Sequence, residues 1–128
     1  AAGIKVPSDM QGRSFLPQLK DTAIKGPATM YYHYYENGEH SVSPHFGVRA
    51  GRYKLIRYYQ RVDDWELFDM QADPGEMNDL YGKKGYEKIT AQMKKELLKQ
   101  IDKYEDADAR KLVNKPIPKS RLKPADKL

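Results

Sequence analysis

One stretch constrains the fold more than any other. From His45 to Asn78 the chain reads HFGVRAGRYKLIRYYQRVDDWELFDMQADPGEMN, in which short runs of aromatic and β-branched residues are parted by polar turn segments, the pattern of an antiparallel meander. Phe46 to Arg49 forms a first strand. Ala50-Gly51-Arg52 turns the chain, because glycine accepts the positive φ that hairpin turns require. Tyr53 to about Tyr59 is the second strand, with large apolar bodies on both of its faces, so that it asks for cover on both sides. After the polar turn Arg61-Val62-Asp63-Asp64 comes a third strand, Trp65 to Asp69. Asp73-Pro74-Gly75-Glu76 has the residue types of a capping box and predicts a helical turn.

Upstream, Ala1 to Gly12 reads as an incoming loop, and Phe15, Leu16 and Leu19 around Pro17 predict one helical turn acting as a packing clip. Thr29 to Tyr35 is a further strand, dense in rings, and Asn37-Gly38 a strong turn dipeptide. Downstream, Tyr86, Ile89, Met93, Leu97, Ile101 and Tyr104 recur at three- and four-residue spacing, the apolar stripe of a helix over about 85–105. Glu105, Asp106 and Asp108 suit a helix C-terminus poorly, and so mark its fraying or exit. The sum is an α+β domain: a small antiparallel sheet of about four strands, one long C-terminal helix packed on a face, and a second face apolar enough to need a partner. Residues 1–27 form the incoming linker and clip, 28–108 the body, and 109–128 a basic, proline-containing tail with little to bury.

The run GVRAGRYKLI followed by WELFDMQADPGEMNDLYG resembles the C-terminal subdomain of the formylglycine-dependent sulfatases. These enzymes usually show Gly-Val-Arg, Tyr-Lys-Leu-Ile, Glu-Leu-Tyr-Asp-Leu, Asp-Pro, Glu and Asn at this spacing. Phe68 and Met70 replace the commoner Tyr and Leu. PSDMQGRSFLPQL is similar to the segment by which the family's chain leaves its catalytic domain, and the resemblance spans roughly residues 6–105. It implies a cap beside the catalytic domain of a parent sulfatase, bordering the pocket for a sulfated carbohydrate. It also implies formylglycine and Ca²⁺ in that parent, and an exported parent.

The chain carries no recognisable catalytic motif. It has no cysteine, the precursor of formylglycine, and no Asp/Asn cluster for a hard cation. We therefore expect no catalytic residue, no metal ligand and no cofactor here. No run of about 18 apolar residues offers a membrane span.

Three histidines carry the site signal. His33, on the aromatic strand, reads as a structural histidine with its hydrogen bonds satisfied. His40 and His45 sit in the irregular loop before Gly47-Val48-Arg49, and loops on rigid sheets are where binding groups gather. With Arg49 they are the candidate substrate-binding residues, able to donate hydrogen bonds to a sulfated or carboxylated sugar. If the strand is regular, His45 and Arg49 share a face. Alternatively Arg49 pairs with Glu66 or Asp69 across the sheet.

Two other functions compete. Arg52 to Tyr59 interleaves basic residues and rings, as in base-stacking sheets. Yet of the net charge of +5, residues 109–128 hold seven Lys/Arg against one Asp, which leaves the first 108 residues at −1, too little for a phosphate-binding body. A stand-alone structural or docking domain is the third reading, since fold alone does not fix function.

Overall fold

A computed structural model describes residues 3–38 and 40–115. Four strands, β1 (Thr29–Tyr34), β2 (His45–Ala50), β3 (Tyr53–Tyr58) and β4 (Trp65–Asp69), pair antiparallel in chain order as one sheet. The register runs through Tyr34 opposite His45, His45 opposite Tyr58, and Arg57 opposite Trp65. Gly51, at φ 55°, closes the tight β2–β3 turn in the left-handed region that glycine enters without a Cβ penalty. A short helix α1 (Leu16–Lys20) precedes the sheet, and α2 (Glu87–Lys103) and α3 (Ala107–Leu112) follow it.

Side chains alternate across a strand, so the register sorts the sheet into two faces. One face carries Phe46, Val48, Leu55, Trp65 and Leu67, which close with Met93, Leu97 and Ile101 of α2 into a single buried cluster. Leu97 is fully buried and Ile101 nearly so, as the stripe predicts. The other face carries Tyr32, Tyr34, His45, Gly47, Arg49, Lys54, Ile56, Tyr58, Glu66 and Phe68, and no helix of the described residues packs on it. Ile56 and Phe68 are buried on this side yet lie outside the main cluster.

The helix α2 ends in a paired-bond cap. The Glu105 N–H bonds Asp102 O at 3.3 Å and the Asp106 N–H bonds Ile101 O at 3.0 Å, with Glu105 at φ 53° in the place glycine usually takes. This turn delivers Asp106 to β1. Its carboxylate accepts from the Tyr31 hydroxyl at 2.7 Å and from His33 Nδ1 at 2.6 Å, and its other oxygen takes the Ala109 N–H at 2.9 Å. Burial opposes the charge on Asp106, but the Ala109 amide, His33 and Tyr31 outweigh it and hold the carboxyl below its ordinary range. Asp106 is thus the N-cap of α3 and the clamp between β1 and the helices, and not a frayed exit.

Three further expectations change. The core continues past the long helix, with Ala109 and Val113 buried, so the start of the basic tail belongs to the body; residues 116–128 lie outside the described residues. Residues 73–76 form a turn, closed by the Glu76 N–H on Asp73 O at 3.1 Å, and no helical turn forms. Glu76 sits at φ 54° and meets Lys54 Nζ at 2.6 Å, while Asp73 receives the Asn78 N–H at 2.7 Å. Lastly, α1 forms but, among the described residues, fully buries none of its side chains, Leu16 and Gln18 being half-buried. Phe15 and Leu19 are each 69% exposed.

Candidate functional site

The open face of the sheet positions the predicted site residues. His45 begins β2, and its Nδ1–H donates to the Ser43 carbonyl at 2.9 Å, which turns Nε2 away from the backbone. Ser43 is itself fixed, its hydroxyl donating to Tyr59 O at 2.8 Å and accepting from the Val62 N–H at 3.1 Å. Three tyrosines ring the imidazole: Tyr32 edge-on at 5.6 Å, Tyr34 at 5.4 Å and Tyr58 at 5.0 Å between ring centroids. Because Tyr34 and Tyr58 flank His45 directly in the register, the cup follows from strand pairing.

Gly47 makes room for it. A Cβ there would stand 2.8 Å from the Tyr32 hydroxyl and 2.7 Å from Leu55 O, so only glycine lets Tyr32 lie across the strand. Burial raises the hydroxyl pKa of both Tyr32 and Tyr58, and the carboxylates of Glu66 and Glu76 raise both further, Glu66 also accepting the Tyr58 hydroxyl. Both hydroxyls remain neutral donors at ordinary pH.

His40 joins the same end of the sheet. It is exposed and bonds Glu36 at 3.0 Å, and the Tyr34 hydroxyl donates to the same carboxylate at 2.8 Å. Thus His40, Glu36, Tyr34 and His45 form one connected rim.

Arg49 shares the face of His45, as expected, but stands roughly 13 Å farther along the strand at about 3.3 Å per residue. The structure removes its alternative partnerships: Asp69 binds Arg52, with Nε to Oδ1 at 2.6 Å, and Glu66 receives Tyr58. Arg49 is exposed and makes no ion pair with the described residues. It lines a separate groove with the incoming segment and α2.

His33 is the structural histidine expected. Its Nε2 lies 2.8 Å from the Tyr59 hydroxyl while Nδ1 serves Asp106, and its ring stacks on Tyr35 at 3.8 Å. The base-stacking alternative loses its cations. Arg52 is paired to Asp69 and Lys54 to Glu76. Arg57 is fully buried on the helix-covered face, 2.5 Å from Asp63 Oδ1 and beside the Trp65 ring. Among the described residues no three His, Asp or Glu side chains converge on a point that could hold a metal ion. The described residues therefore offer no set of carboxylates that fits Ca²⁺, and the sequence has no cysteine from which formylglycine could form. No helix of the described residues is long and apolar enough to cross a membrane.

Tyr32, Tyr34, Tyr58 and Glu36 escaped the reading of motifs. For Tyr32 and Tyr34 a signal was present: with Asn37-Gly38 as the turn, alternation places residues 32 and 34 on the face of residue 45.

Comparison with known proteins agrees with the fold. Residues 1–103 match the family described as N-sulphoglucosamine sulphohydrolase, C-terminal. An N-acetylglucosamine-6-O-sulfatase of Bacteroides thetaiotaomicron is 45% identical over 112 residues, covering 84% of this chain and 20% of the relative. A Δ4,5-hexuronate-2-O-sulfatase of the same organism is 34% identical over 92 residues, covering 71% of this chain and 19% of the relative. A structure solved in complex with its substrate, D-glucosamine-2-N,6-O-disulfate, superposes with a TM-score of 0.75 at 41% identity, over 89% of this chain and 23% of the other. The chain thus spans about a fifth of the length of the curated relatives it matches. It belongs to the family of sulfatase C-terminal domains.

Proposed function

We propose that this chain is the C-terminal domain of a longer sulfatase that hydrolyses a sulfate ester on a glycan, releasing the sugar hydroxyl and sulfate. In this reading the chain supplies a wall of the substrate pocket, and the nucleophile and Ca²⁺ site belong to a catalytic domain outside these residues. The observation that carries the reading is the cup on the open face: an imidazole ringed by three tyrosines, on a sheet face that no helix of the described residues covers. Rings that stack on sugar faces, beside groups that hydrogen-bond anions, are the chemistry a sulfated sugar needs. His45 is the central contact and His40 the rim, and Arg49 meets the same glycan farther along.

A catalytic domain also accounts for the first part of the incoming segment, where Ile4, Val6 and Met10, all outside the groove that Arg49 lines, are each more than 60% exposed. Side chains of this kind in a row signal a partner surface. Both the 45%-identical relative and the superposed structure are tied by name to 6-O-sulfated glucosamine, so we place a 6-O-sulfated amino sugar first among substrates.

The test compares the 128-residue chain with the longer protein, each given N-acetylglucosamine 6-sulfate, an unsaturated hexuronate 2-sulfate disaccharide and an aryl sulfate, with Ca²⁺. The chain alone is expected to turn over none of them, and the longer protein to prefer the amino sugar. Turnover by the repurified chain, or a longer protein inert on every sulfate ester, overturns the reading.

A further inference from the structure

A groove of about 1100 Å³ runs along the β1 edge, between the incoming segment and the last turns of α2. Its walls hold Arg13, Lys25, Arg49, Lys99 and Lys103 against one acid, Glu96. Five cations against one acid stand out in a body whose first 108 residues sum to −1. Most of these charges meet no acid among the described residues. Arg13, Lys25 and Arg49 are exposed and make no ion pair among the described residues, and Lys99 reaches Glu96 only at 3.9 Å. Lys103 lies over the Tyr104 ring at 4.8 Å, and Tyr104 in turn stacks on Tyr31 at 5.7 Å within the same wall.

The cations come from three separate parts of the chain, the incoming segment, β2 and α2. Cations gathered from such distant parts repel one another, and an anion laid between them relieves that repulsion. The volume exceeds the roughly 300–1,000 Å³ of ordinary small-ligand sites, which favours a segment of chain over one sugar ring.

We infer that this groove is a second binding site, distinct from the His45 cup, for a run of a sulfated polysaccharide. It rests on the reading above that the longer protein works on sulfated glycans. The groove holds the polymer while the cup meets the sugar being processed, with Arg49, on the strand that starts at His45, at the groove's end of that path. Lysine and arginine meet sulfates, and the Tyr31–Tyr104 pair offers a face to a sugar ring. A nucleic acid is the lesser fit, because the strand that interleaves rings with bases has its cations paired or buried.

The experiment measures binding of a heparin-type decasaccharide to the full 128-residue chain by calorimetry, at low and at 0.3 M salt. The triple substitution Arg13→Gln, Lys25→Gln, Arg49→Gln is expected to weaken binding about tenfold or more, with an unchanged melting point because all three side chains are exposed. Glu96→Gln is expected to strengthen it, and added salt to weaken it. A control variant removes the basic charges of the C-terminal segment (Lys119→Gln, Arg121→Gln, Lys123→Gln, Lys127→Gln) and is expected to retain most of the affinity. The inference is overturned if the triple variant binds like the parent chain, if only the C-terminal variant loses binding, or if a single-stranded DNA of equal charge binds as well. These results leave desulfation by the longer protein untouched, so a failed groove and a failed sulfatase reading are told apart.

Discussion

The two faces of one sheet have opposite fates. On the helix-covered side, Phe46, Val48 and Leu55 are completely buried, and they answer to volume and shape. On the open side the alternate residues of the same strands hold polar heads at or near the surface, His45, Lys54 and Tyr58 tethered by hydrogen bonds and ring contacts and Arg49 exposed. A period of two lets six residues of β2 serve both purposes, because neighbours in sequence never share a face. Stability and recognition are therefore separable by single substitutions within one strand or its covering helix.

The largest expected effect breaks the covered face. Leu97 is fully buried between α2 and the sheet, so Leu97→Ala should cost roughly 2–4 kcal/mol, the transfer term plus the cavity. Urea midpoints measure it, and Lys95→Ala on the exposed side of the helix is the control, expected to stay near the parent value. Equal midpoints for Leu97→Ala and the parent would mean that the covered face does not carry the stability.

A smaller effect comes from the edge of that face, and it depends on pH. The Arg52 guanidinium, against the opposing effect of burial and with help from the Ala72 and Gln71 amides, holds the Asp69 carboxyl from its usual 3.8 down to about 2. A carboxylate whose folded-state pKa is depressed stabilises the fold above its unfolded pKa, and that contribution is lost as pH falls through the folded value. The melting temperature should therefore decline between about pH 4 and pH 2, and Asp69→Asn, already without the charge, should decline less. Parallel curves for the two proteins would assign the acid transition elsewhere.

Much of this arrangement was legible in the sequence, because its signals are local. Alternation, a Gly51 turn and the Met93-Leu97-Ile101 stripe fixed the strands, the order and the helix, and His33 read correctly as structural. The misses depend on partners distant in sequence. Asp106 follows a helix, where an acid looks unfavourable, yet its partners His33 and Tyr31 lie more than 70 residues away. Its place ahead of ADARKL as an N-cap was a local signal that went unused. The capping-box pattern at Asp73 and Glu76 failed for a similar reason: Lys54, on β3, draws Glu76 into an ion pair and the turn never becomes helical.

The candidate site was half legible. His45 and Arg49 do share a face, but the tyrosine cup needed the β1–β2 and β2–β3 registers. The basic groove needed residues 11–31 laid beside residues 96–104, a juxtaposition with no local trace. Arg57 shows the opposite error. It belongs to a run that looks basic and exposed, yet it is fully buried against Trp65 and Asp63.

The separation of stability from recognition is tested most directly by His45→Ala in the longer protein, assayed on the sulfated glycan and on a small aryl sulfate, with a melting curve alongside. The aryl sulfate lacks the sugar groups that the cup would contact. The expected result is a fall in kcat/KM on the glycan of about ten- to a hundredfold, little change on the aryl sulfate, and a melting shift well below that of Leu97→Ala. Equal losses on both substrates together with a melting point lowered as far as that of Leu97→Ala would contradict the account and return His45 to the core.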